Sequence, residues 1–187
     1  MNYTKKYIAG FIFLMCCISC SKKSDSVITP TPPPVVVADT LATNTTHLDN
    51  LIVPVTFSSG ATALGLYIYS NAPSYTPATA PGEGFTCIDD VARGVLFYMR
   101  SSAFATDTAV QRKVFGLMQF VLSMQSANGY FYNFLQTGNV INTFGNTSVD
   151  QPKWWSWRAL QALTEGEAII RTKNTSLADK MNQATNK

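Results

Sequence analysis

GEGFTCIDDVARGVLFYMR, Gly82 to Arg100, opens a helical pattern directly behind a glycine-containing loop. Ile88, Ala92, Val95 and Met99 recur at helical spacing, which predicts a helix starting near Cys87. Thr86-Cys87-Ile88-Asp89 has the spacing of a capping box, in which Asp89 would bond back to the Thr86 amide. Asp89 and Asp90 stand side by side in a chain with only 13% charged residues. They either cap the helix or face a ligand. If Asp89 has the local task, Asp90 is left to meet a ligand. Arg93 lies within ion-pair reach of both on a helix. Together with the positive helix N-terminus it predicts two ionised carboxylates with lowered pKa values, suited to accepting hydrogen bonds rather than donating a proton.

The same periodicity continues downstream. Val110, Val114, Leu117, Val121 and Met124 mark a second helix starting near Thr108 and stopping at Asn128-Gly129. A third starts near Pro152, carries WWSWRALQALTEGEAII and ends at Arg171 and Lys173. It is apolar around most of its circumference, so it is expected to be buried on more than one side. Ser176-Leu177-Ala178-Asp179 reads as a further capping box and opens a last short helix. Upstream, LIVPVTF (Leu51–Phe57) and ALGLYIYS (Ala63–Ser70) predict a strand pair, with Pro54 placing the first at an edge. NAPSYTPATAPGEG reads as a loop, and GYFYNFL as a strand or a buried loop.

Hydrophobic residues make up 46% of the 187, enough to bury a core. The formal charge is only +3 and no basic patch is present, which argues against nucleic acid as a partner. Lys5 and Lys6 precede the apolar run YIAGFIFLMCCIS. That run falls short of the roughly 20 residues a membrane-spanning helix needs and has the length of a signal-peptide core. It ends in Cys17-Ile18-Ser19-Cys20, which resembles the lipobox of bacterial lipoproteins. The resemblance implies a signal peptide over residues 1–19, lipidation at Cys20, and export to the cell envelope, at the outer membrane or cell surface. Residues 20–45, rich in proline and threonine, then read as a tether. Cys16 and Cys17 would leave with the signal, so Cys87 would be the one free thiol and no disulfide framework is expected.

GEGFTCIDDVARGVLFYM, FVLSMQSANGYFYNFL and SVDQPKWWSWRALQAL occur in that order. Together they resemble a family of bacterial carbohydrate-active proteins built as six-hairpin (α/α)6 toroids. In that family a C-x-D-D-x-A-R helix start, an aromatic G-x-F-x-N-F segment and an acid before an R-A-L-x-A-L helix recur. The similarity spans roughly Leu48 to Ile170, with Trp157 where the family often has glycine. It implies a mainly-α fold in which residues 46–187 form the N-terminal part of a toroid of antiparallel helical hairpins, behind a short β-strand pair. It also implies a glycosidase-like protein acting on or binding poly- or oligosaccharide; a non-catalytic glycan-binding or structural envelope lipoprotein is the alternative.

Glycoside hydrolysis places two carboxyl groups about a bond, roughly 5–9.5 Å apart. Neighbours on one helix diverge too far to do so, so the candidate catalytic acids are Asp90 with Glu83 or Asp150, and a second acid beyond position 187 is an equal alternative. Asp150 equally suits a helix cap. Candidate substrate contacts are Asp89, Arg93, Tyr132, Asn133, Trp154, Trp155 and Arg158. Trp154, Trp155 and Trp157 point in three directions, so they cannot all face one core, and at least one is expected to line a groove. Cys87 reads as a buried filler. No cofactor is expected and no zinc site, since His47 is the only histidine, with calcium held by carboxylates as the open alternative. The protein is expected to be a monomer.

Overall fold

The computed structural model describes residues 44–187. The expected signal peptide, the expected lipidation site Cys20 and nearly all of the expected tether lie outside the described residues. A short helix that the sequence reading did not anticipate, α1, spans Thr46–Asn50, and the other helices begin close to the expected positions: α2 Ile88–Arg100, α3 Thr108–Ser123, α4 Trp154–Arg171 and α5 Thr175–Thr185. No helix among the described residues is long and apolar enough to cross a membrane.

Ion pairs and packing contacts fix the helix directions. Asp89 of α2 meets Arg158 of α4, and further along both helices Arg100 pairs with Glu165, so α2 and α4 run parallel. Tyr98 in the second half of α2 and Lys113 in the first half of α3 converge on Asp49, which makes α3 antiparallel to α2. Gly166 of α4 packs against Met181 of α5, and Arg171 pairs with Asp179, so α5 turns back along α4. The starts of α2 and α4 therefore share one end with the ends of α3 and α5. The core between them holds Ile88, Val91, Val95, Leu117, Met118, Phe120, Leu163 and Ile170, all inaccessible to solvent.

The strand pair forms as expected: β1 (Ile52–Thr56) and β2 (Thr62–Leu66) are antiparallel, with Val55 opposite Ala63. The hairpin lies on α2 and α3 where glycines admit it. A Cβ at Gly94 would come within 2.6 Å of Leu66, and one at Gly116 within 2.5 Å of Leu64.

The rest of the β structure corrects the sequence reading. The stretch read as a loop forms a hairpin, β3 (Tyr69–Asn71) with β4 (Thr76–Ala78). A three-stranded sheet follows from β5 (Thr86–Cys87), β6 (Phe134–Gln136) and β7 (Val140–Ile141), in the order β5-β6-β7. The resemblance implied a mainly-α partial toroid of helical hairpins. The described residues instead make an α+β fold, with five α-helices and three small antiparallel sheets. The physical reason lies in the backbone between the helices. Thr86, Cys87, Phe134 and Leu135 are buried, and a buried peptide group needs a partner. The segments before α2 and after α3 supply each other's, so they pair as strands.

The capping expectations are corrected as well. The N-cap of α2 is Cys87, and its side chain accepts no capping bond. Thr86 is fully buried, and its hydroxyl accepts a 3.0 Å bond from the Leu66 amide instead. The Ile88 amide is satisfied by the Asn133 carbonyl at 2.8 Å. For α5 the cap is Asn174, accepting from the Leu177 amide at 3.0 Å, and not Ser176.

Candidate functional site

Asp89 is 4% exposed and sits between two arginines. Its Oδ2 is 2.5 Å from Arg93 and its Oδ1 is 3.1 Å from Nε of Arg158. The Arg158 contact is an ion pair without hydrogen-bond alignment, so Oδ1 is charge-compensated yet makes no hydrogen bond. Asp89 therefore does not cap α2; it joins α2 to α4. Asp90 is one-third exposed, accepts a 3.2 Å bond from the Cys87 thiol and lies 3.6 Å from Arg93. The Cys87 thiol is pushed well above its ordinary value by burial first and the Asp90 charge second, so it is a poor nucleophile.

Trp154 and Trp157 are each about half exposed, at 54% and 53%. Three residues along a helix place them roughly 60° apart, and Arg158 falls on the other side of Trp154. The first turns of α4 thus present Trp157, Trp154 and Arg158 in that order, and the strip continues onto α2 through Asp89, Arg93 and Asp90. Both indoles are braced edge-on. Trp157 meets Tyr130 at 6.4 Å between ring centres, and Trp154 meets Trp155 at 5.5 Å. These distances and angles are those of favourable T-shaped pairs.

The fold thus gathers Asp89, Asp90, Arg93, Trp154 and Arg158 into one strip. Other candidates fall elsewhere. Trp155 is 2% exposed and donates its indole N–H to the Phe131 carbonyl at 2.8 Å; it is a core residue, out of a ligand's reach. Asn133 is 1% exposed, with its amide nitrogen bonded to the Thr147 carbonyl and its Oδ1 unpartnered. Tyr132 is partly buried against the core. Glu83 lies in the loop before β5, where its carbonyl accepts from Asn142. The Asp150 carboxylate accepts from Asn128 at 3.1 Å, beyond the end of α3, and the α4 N-cap is Lys153, so Asp150 does not cap α4. Trp157, one of the three tryptophans expected to offer a groove, and Tyr130 complete the strip.

The expected lowering of both aspartate pKa values fails at Asp89. Burial pushes its carboxyl above the ordinary range, Arg93 pulls it back, Asp90 adds to the rise and Arg158 opposes it. Asp49 shows the opposite balance. Burial acts upward there too, but bonds from Lys113, Tyr98 and Thr45 together hold its carboxyl low. The two groups should affect stability with opposite sign. A raised folded pKa gives a contribution that is complete below the unfolded value of about 3.9 and is lost as pH rises through the folded value. A lowered folded pKa gives one that is present above about 3.9 and is lost as pH falls. Urea unfolding from acid to neutral pH should therefore show Asp89→Asn gaining on the wild type as pH rises. Asp49→Asn should fall behind over the same range. A deficit in Asp89→Asn that widens towards neutral pH would contradict the assignment.

No family model matches the chain, and no curated protein matches it either. The resemblance to toroidal glycosidase-like lipoproteins is thereby corrected on two grounds: no family supports it, and the architecture is α+β.

Proposed function

We propose that the chain is an envelope lipoprotein, anchored through Cys20, whose described region binds poly- or oligosaccharide on the strip from Trp157 to Asp90. The observation that carries this reading is the pair of half-exposed, braced indoles beside Arg158, Arg93 and Asp90. Singly exposed hydrophobic residues are ordinary on a protein surface. Two adjacent indoles fixed by neighbouring rings are a platform for the C–H faces of sugars. The charged groups next to them offer donors and acceptors for the hydroxyls.

Binding is better supported than hydrolysis. Asp89, beside Asp90 on α2, is buried under arginines, and the Asp150 carboxylate is held by Asn128. Electrophoresis through gels containing soluble polysaccharides tests the binding claim. At least one polysaccharide should retard the wild type and not the Trp154→Ala/Trp157→Ala double variant. Equal mobility of the two proteins across a broad panel would remove the reading. The anchor is tested separately by the intact mass of the mature protein, which should begin at a diacylated or triacylated Cys20; an unmodified N-terminus elsewhere would refute it.

A further inference from the structure

Arg158 stands in an unusual position. Its Nε faces the buried Asp89 carboxylate, its side chain is 46% exposed, and its guanidinium makes no hydrogen bond among the described residues. An arginine that makes no hydrogen bond with its guanidinium keeps parallel N–H groups open, the fork that matches a carboxylate. Trp154 lies next to it on α4 and Arg93 next to it across Asp89. One carboxylate serves two guanidinium groups here, so its charge is divided between them. Asp89 is also unfavourable to bury, which is consistent with a residue kept for positioning rather than for stability.

We propose that the saccharide bound on this strip carries a carboxylate, as a uronic acid does, and that the free edge of Arg158 reads it. The inference rests on the saccharide-binding reading above. In a uronic acid the carboxylate projects from the edge of the pyranose ring. A ring stacked on Trp154 therefore brings its carboxylate to the neighbouring position on the strip, which Arg158 occupies. A neutral sugar would need single donors only and would leave the fork half used. The Asp89 charge keeps the Arg158 guanidinium at this position beside Trp154.

Calorimetric titration of the full chain with polygalacturonate and with its methyl ester tests the inference, because the two polymers share ring faces and differ in charge. The free acid should bind about tenfold more tightly, the usual scale for one charge-assisted contact. Arg158→Lys and Arg158→Gln should both reduce that preference towards parity. Arg158→Lys keeps a positive charge beside Asp89 and should stay folded, and in both variants the affinity for the methyl ester should fall by less than the affinity for the free acid. Equal affinity of wild type for both polymers would overturn the uronate assignment and leave saccharide binding standing, and so would tighter binding of dextran sulfate than of polygalacturonate. Retardation by no saccharide at all would overturn both.

Discussion

Replacing Trp155 with alanine is expected to cost about 3–5 kcal/mol, the range for truncating a large buried aromatic residue. The indole is 2% exposed and packs within the core cluster. Its loss also strips the Phe131 carbonyl of the indole N–H that now satisfies it. Trp155→Phe should restore most of the packing and expose the hydrogen-bond share alone, about 1–3 kcal/mol for a buried acceptor left unmade. Denaturant unfolding measures both. A loss below about 1 kcal/mol in the alanine variant, the median effect of an ordinary substitution, would place Trp155 outside the core.

The second large effect is expected one residue before and two after. Trp154→Ala/Trp157→Ala should leave the protein folded and cost about 1–3 kcal/mol, two edge-to-face pairs at about 0.5–1.5 kcal/mol each, less than the loss of Trp155. Saccharide affinity should fall roughly thirtyfold, taking each stacking contact at about 1 kcal/mol. The contrast between the two variants is the point. Three tryptophans within four consecutive positions have one structural and two surface roles. A double variant that unfolds, or that binds as tightly as wild type, would break that division.

That division was partly legible in the sequence. Trp155, Ala159, Ala162, Leu163, Gly166 and Ile170 are the buried positions of α4 apart from Ser156, and they follow helical spacing. A stripe drawn through them assigns Trp155 to the core and leaves Trp154 and Trp157 outside it. Counting hydrophobic residues around the whole helix hid this, because the two exposed indoles are as apolar as the core. The helix starts were readable for the same reason that the stripe is: long apolar periodicity survives without knowledge of partners. The first hairpin was readable from its β-branched runs.

The sheet β5-β6-β7 was not. Its outer strands are two residues long, too short for any period, and pairing follows from burial that only the assembled fold creates. The motifs that suggested a toroid consist of the same residues that build this end of the molecule. They described local helix starts correctly and the global architecture wrongly. Asp89 shows a related limit. Sequence spacing revealed Arg93 and the helix N-terminus, both of which lower a carboxyl pKa, but neither Arg158 nor the burial that outweighs them all.

The two exposed indoles can be observed individually. The chain contains three tryptophans, so a ¹H–¹⁵N spectrum should show three indole N–H signals. Addition of a retarding polysaccharide, shortened to oligosaccharides, should shift or broaden the signals of Trp154 and Trp157. The Trp155 signal, whose N–H is bonded to the Phe131 carbonyl, should stay in place. Three unmoved signals at saturating oligosaccharide, or movement confined to Trp155, would contradict the account.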